Sequence, residues 1–251
     1  MVPWGMPQGF EILFEDDGIL AAAKLGPLPV QADATGDPSL QSLLTALLSE
    51  RDGRPAFLEA AHRLDRRTSG IVLFGKSRRA VSALDAAFRA RRIRKLYWAV
   101  PDRAPPVPEG RLAHRLVRDP RSNRTLAVPL KGRSELWSSK PGTPIPPEAL
   151  NPDLAVLDYR TLGHGDRYEL LEVRPWTGRT HQIRAQLAAA GFPIRGDLKY
   201  GARRSCRNGL VMLHARAVEF EHPLTGKPIR LTAPCPLDEP LWRAFPEEAL
   251  P

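Results

Sequence analysis

A chain of 251 residues with 42% hydrophobic and 26% charged residues has the make-up of a globular protein with a sizeable core, which excludes a low-complexity or disordered polymer. Two cysteines, Cys206 and Cys235, with no CxxC pair exclude a disulfide framework, and no apolar run approaches the ~20 residues that span a bilayer. Thirty-seven basic against 28 acidic residues leave a net charge of +9, and 30 of the 37 are Arg, whose planar fork fits phosphate. Such a field draws in polyanions and makes nucleic acid a natural partner. The six histidines are scattered, so no metal site is expected, and the N-terminus lacks the layout of a secretory signal, so the chain reads as cytoplasmic.

In chain order, EILFEDDGILAAAK reads as two strands around an Asp-Asp-Gly turn. A helix is expected from Pro38 to about Glu50, capped by Asp37, with Leu40, Leu43, Leu44, Leu47 and Leu48 as its apolar stripe. Ile71 to Phe74 is a compact strand. Ser77 caps a second helix that turns Val81, Leu84 and Phe88 inward, and Arg94 to Val100 is the next strand. Two proline-rich stretches, 101–108 and 141–152, are poor in regular structure, and the second reads as an exposed excursion. RLAHRLVR and RTLAVPL flank DPRSN, a hairpin or long turn. LAVLDYRTL and RYELLEVRP bracket a turn at Gly163 to Asp166. Thr180 to Ala190 has helical composition, with Thr180 as cap and Gly191 as stop, and AVEFEHP and PIRLTAP form a last hairpin. Hairpin-joined strands with few helices predict an α+β fold with a mixed, largely antiparallel sheet and flanking helices.

One stretch carries chemistry on its face. In His62-Arg63-Leu64-Asp65-Arg66-Arg67-Thr68-Ser69-Gly70 a single acid sits among three arginines, just before an apolar strand. Neighbouring cations favour its ionised form, and the same cations attract an RNA backbone. Taken alone, the pattern fits equally an Asp that only pairs with its neighbours.

HRLDRRTSGIVLFGKS closely resembles the segment around the catalytic aspartate of the RluA-type pseudouridine synthases. Three further blocks resemble that family in the same order: EDDGILAAAKLGPLPV, the strand Lys95-Leu96-Tyr97-Trp98-Ala99, and TGRTHQIRAQLAAAGFPIRGDLKYG followed by LHARAVEFEHPLTG. The resemblance implies a single catalytic domain over residues 1–251 with a central RNA-binding cleft, a proline-rich excursion at 131–152, and no separate N-terminal RNA-binding domain. It implies isomerisation of uridine in ribosomal or transfer RNA to pseudouridine, without a cofactor, by an expected monomer.

The resemblance also implies the roles of particular residues. Asp65 matches the catalytic aspartate, Arg184 the arginine that pairs with it, and Tyr97 the tyrosine that packs on the target base. A carboxylate can stabilise or capture positive character at ribose C1′, add to uracil C6, or assist removal of a sugar proton. Arg63 is placed to fill the space of an extruded base. Arg66, Arg67, Lys95 and Arg179 are candidate phosphate contacts, and His181 and Gln182 lie in the same substrate-binding block. Two departures stand out: Lys24-Leu25 where Lys-Pro is common, and Gln186 where a histidine is frequent. Trp98, on the opposite side of its strand from Tyr97, is assigned to packing. The competing reading is an inactive RNA-binding protein of the same fold. A glycosidase would want a second acid, and a metal-dependent nuclease a cluster of acids; neither stands out.

Overall fold

A computed structural model of the chain describes residues 9–130, 140–145, 150, 153–165 and 167–245. They divide into two compact units, one from residues up to Lys95 with Ala215–Pro236, the other from Leu96–His214 with the chain beyond Leu237.

In the first unit, β1 (Phe10–Glu15) and β2 (Ile19–Lys24) form the expected antiparallel hairpin, and β2 pairs antiparallel with β4 (Ser69–Gly75), which also carries the two-residue β3 (Glu59–Ala60). Strand β10 (Leu213–Glu221) neighbours β4 and pairs antiparallel with β11 (Pro228–Thr232). Ile19, Ala21 and Ala23 of β2 and Ile71 and Leu73 of β4 pack with Ala80, Leu84 and Ala87 of helix α2 (Arg78–Arg89). The alternate residues Leu20, Ala22, Val72 and Phe74 are also fully buried. Burial on both faces explains why these strands read as continuous apolar runs instead of alternating ones.

Helix α1 (Leu40–Asp52) starts two residues later than the sequence suggests. Its cap is Ser39, whose hydroxyl accepts from the Ser42 amide while Ser42 Oγ accepts from the Ser39 amide. Asp37 is drawn away by an ion pair with Arg66. Of the expected stripe, Leu40, Leu44 and Leu48 are buried and Leu43 is exposed. Ser77 caps α2 as expected, accepting from the Ala80 amide.

The second unit is an antiparallel sheet in the order β5 (Arg94–Ala99), β9 (Glu169–Pro175), β8 (Leu154–His164), β6 (Glu109–Asp119), β7 (Arg124–Pro129). The Gly163–Asp166 turn is shifted: β8 runs on through His164, and Asp166 lies outside the described residues. Helix α3 (Gln182–Ala189) lies against β6 and β7. Gln186, fully buried in α3, donates to the carbonyls of Leu112 and Ala155 and so fastens the helix to β6 and β8. Gly191, with φ 95°, terminates α3 as expected, because only glycine enters that conformation without strain.

Most of the 131–152 excursion lies outside the described residues. What is described of it is anchored, not free. Ile145 and Leu150 are buried with Ala113, Leu154 and Val156. Arg111 and Asp158 form a buried two-pronged ion pair at 2.6 and 2.8 Å, and this pair holds the Gly142 amide and the Thr143 carbonyl. Trp176 Nε1 donates to the same carboxylate.

Candidate active site

The first unit presents Asp65 on the turn between β3 and β4, half-buried, with its carbonyl accepting from the Thr68 amide at 2.9 Å. Three features fix that turn. Gly70, with φ 113°, stands where a Cβ would lie 2.3 Å from the Ala215 carbonyl oxygen, so no other residue fits. His62 Nε2 accepts from the Leu73 amide at 3.0 Å, and its ring packs on Phe88 at 4.8 Å. Burial, and then the charge of Lys95, pushes the His62 imidazole down to about 3, so it stays neutral and serves as a fixed acceptor.

The third feature is Lys24, at the end of β2. It is fully buried, and its ammonium donates to the carbonyls of Arg66 at 2.8 Å and Gly26 at 3.0 Å. Burial lowers its pKa to about 7, against the opposing pull of the Asp65 charge. A cation held beside a carboxylate and bound to the adjoining carbonyl is part of the machinery that sets the Asp65 turn. Sequence reasoning noted Lys24 only for the residue that follows it. The available signal was a charged residue closing an otherwise apolar strand.

The arginines of this turn differ. Arg63 and Arg67 are exposed. Arg66 instead braces the 33–37 loop, bonding Asp37 at 2.6 Å, Asp33 at 3.0 Å and Thr35 Oγ1 at 2.7 Å. Any phosphate contact by Arg66 competes with two carboxylates. Lys95, where the first unit ends, lies 5.9 Å from the centre of the Phe88 ring, and burial lowers its pKa.

The second unit gathers Arg184, His181, Asp197 and Tyr200. Arg184, buried in α3, places Nε and Nη2 on the two carboxylate oxygens of Asp197 at 2.7 and 2.9 Å. Its guanidinium carbon sits 5.0 Å from the centre of the Tyr200 ring. Asp197 thus orients the Arg184 guanidinium within this unit through two of its nitrogens. Sequence reasoning missed Asp197, although it lies inside the quoted block RGDLKYG. Tyr200 Oη accepts from the Thr125 amide at 2.9 Å and shares a hydrogen bond with His181 Nδ1 at 2.8 Å.

His181 precedes α3 in a left-handed conformation, φ 55°, uncommon for a residue with a side chain. Thr180 does not cap the helix. The N-cap is His181, which makes no side-chain cap bond, and the first helical residue, Gln182, ties down the preceding turn, its Oε1 accepting from the Arg179 amide and Thr177 Oγ1 and its Nε2 donating to the Val156 carbonyl. Gln182 thus braces the start of α3, while Arg179 is exposed beside it. Tyr97 of β5, opposite Val173 of β9, is only 8% exposed, and Trp98, on the alternate side, 3%. Among the described residues no three His, Cys, Asp or Glu side chains come together in a way that could hold a metal ion.

The family described as RNA pseudouridylate synthase matches residues 19–189, more than half of the chain. An uncharacterized RNA pseudouridine synthase of Chloroflexus aurantiacus is 38% identical over 70% of this chain and 50% of its own length. The ribosomal large subunit pseudouridine synthase D of Xanthomonas campestris is 33% identical over 90% of this chain and 66% of its own. The chain thus spans between half and two thirds of the length of these two relatives. Among solved structures, Human RNA Pseudouridylate Synthase Domain Containing 4 superposes with a TM-score of 0.71 at 24% identity, covering 93% of this chain and 92% of that one. That likeness establishes the shared α+β fold.

Proposed function

Because the chain belongs to the RNA pseudouridylate synthase family, we propose that it isomerises uridine within RNA to pseudouridine, with Asp65 as the catalytic carboxylate. The reaction breaks the bond from ribose C1′ to uracil N1, turns the base and rejoins it through C5. C5 gives up its proton, N1 takes one, and no electrons are exchanged with a cofactor. The observation that carries this reading is the Asp65 turn, set by the buried Lys24, the neutral His62 and the close approach at Gly70, within a chain of this family.

In this reading Asp65 acts on the extruded nucleoside at C1′, at C6 or through a sugar proton, three routes that a carboxylate serves equally. Arg184 supplies the cation that holds it ionised, and Tyr97 offers an aromatic face to the uracil. Arg63, exposed, fills the space the extruded base leaves, Arg67 and Arg179, also exposed, meet the RNA backbone, and Lys95 does so from a more buried place. The names of the relatives from Xanthomonas campestris and Vibrio vulnificus point to large-subunit ribosomal RNA as the first substrate to try, with transfer RNA as the second.

The test is release of tritium into water from RNA whose uridines carry it at C5, using unmodified large-subunit ribosomal and transfer RNA transcripts. Release from either is expected. Binding to both without release favours the inactive RNA-binding alternative.

A further inference from the structure

The β6–β7 hairpin carries four arginines at three-residue spacing, Arg115, Arg118, Arg121 and Arg124, all exposed. Among the described residues β6 keeps its partner β8 only as far as Arg115 opposite Leu154; beyond it, Leu116 to Asp119 pair with β7 alone. The hairpin therefore runs past its sheet as a two-stranded arm. Residues directly opposite one another in a ladder share a face. One face of the arm thus carries Arg115, Val117 and Asp119 against Val128, Leu126 and Arg124. On it Val117 is 39% and Leu126 50% exposed, an apolar strip between two guanidinium groups. The other face carries Arg118 and Thr125, and here Thr125 is buried.

An isolated two-stranded ribbon is marginal in water, and this arm is braced at three points. Asp119 closes the turn by accepting from the Arg121 amide and Ser122 Oγ, so its carboxylate is occupied. Arg118 donates to Asn123 Oδ1, whose backbone takes the left-handed form, φ 51°. The arm is also fastened from below: Lys199 Nζ donates to the Asn123 carbonyl, and Tyr200 Oη accepts from the Thr125 amide. Tyr200 is the same residue that packs against Arg184 and bonds His181. The arm and the Arg184 cluster thus share one anchor.

We propose that the β6–β7 arm is an RNA-binding element: Arg115, Arg121 and Arg124 engage backbone phosphates, and the Val117–Leu126 strip lies against ribose or an unstacked base. The Lys199–Tyr200 anchor fixes its position relative to Arg184. The proposal rests on RNA being the substrate. Exposed guanidinium forks match phosphate geometry, and an apolar strip between them suits a nucleic acid surface better than a purely acidic partner.

The test compares the intact chain with the triple variant Arg115→Gln, Arg121→Gln, Arg124→Gln and with the corresponding triple Lys variant, using an unmodified large-subunit ribosomal RNA transcript as probe. Each lost phosphate contact lowers the slope of log K against log salt by ~0.7–0.9. The Gln variant is therefore expected to bind at least ~10-fold more weakly near 0.15 M salt, with a slope shallower by ~2. The Lys variant should recover the slope. Unchanged affinity and slope in a folded Gln variant overturn the proposal, as does equal competition for the wild-type arm by polyglutamate. Loss of tritium release by the wild-type chain on every RNA would instead strike the reading of the reaction, and would leave the binding comparison to stand by itself.

Discussion

At the scale of single residues, Lys24 is the position where physical chemistry says most. Its ammonium donates to the backbone carbonyls of Arg66 and Gly26, and its charge meets that of Asp65. Lys24→Met removes both of these hydrogen bonds, leaving the Gly26 carbonyl its bond from the Leu28 amide, so a loss on the order of 1–2 kcal/mol is expected at pH 7, together with a large fall in turnover as the Asp65 turn relaxes. The pH dependence has a definite sign. The folded pKa is about 7 against an ordinary 10.5, so between those values the unfolded chain holds more protons than the folded one. This group's contribution therefore rises with pH through that window and is flat below it. Urea unfolding at pH 7 and pH 9.5 should show the gap between wild type and Lys24→Met widening at the higher pH; a constant or narrowing gap contradicts the assignment. Asp65, Tyr97 and Arg184 stood out in the sequence as members of ordered motifs. Lys24 and Asp197 did not, because their significance lies in burial and in partners 42 and 13 residues away. Arg66 illustrates the converse: local charge suggested RNA, while the fold pairs it with Asp33 and Asp37.

The elements were largely visible from periodicity and caps, and the misplacements share one cause. Asp37 and Thr180 are good caps by type, yet Asp37 is paired with Arg66 while Ser39 caps α1, and α3 starts after His181 with Gln182 bracing the turn before it. Local propensity is blind to such competition. Two ion pairs join elements and can be tested. Glu15 of β1 meets Arg51 of α1 and Lys76 after β4, and the Arg51 guanidinium above all holds its carboxyl down to about 2, from 4.5. Stability from this group is present above about pH 4.5 and lost as pH falls through about 2. Glu15→Gln should cost ~0.5–1 kcal/mol near neutrality and should lose less than wild type between pH 5 and 2.5. A parallel decline in the two proteins would remove Glu15 from the acid limb. The buried Arg111–Asp158 pair is a stronger case. Asp158→Asn leaves a guanidinium without its counter-charge and weakens the hold on Gly142 and Trp176, so ~3–5 kcal/mol should be lost. A loss under ~1 kcal/mol in urea titration would mean that water reaches the pair.

At the scale of the molecule, the α+β character followed from hairpin signals and two good helices, whereas the division into two units did not. The chain passes between units inside β5, and again at 214–215 inside β10, where no proline- or glycine-rich linker marks the crossing; only the last, at 236–237, lies among prolines, Pro234, Pro236 and Pro240. Contiguous composition cannot report a discontinuous unit. The excursion at 131–152 read as solvent-exposed because prolines dominate it, yet Ile145 and Leu150 reach the core. The net charge of +9 belongs to this scale too, since on the proposed reading it governs encounter with RNA and its salt dependence, not the choice of uridine. On the proposed reading, a single carboxylate, that of Asp65, carries the isomerisation. Replacing Asp65 by Asn keeps size and much of the hydrogen bonding while removing the charge. Tritium release from C5-labelled RNA, measured beside RNA affinity, is expected to fall to background in that variant with affinity held within a few-fold. Release at the wild-type rate by a folded Asp65→Asn protein would contradict the account.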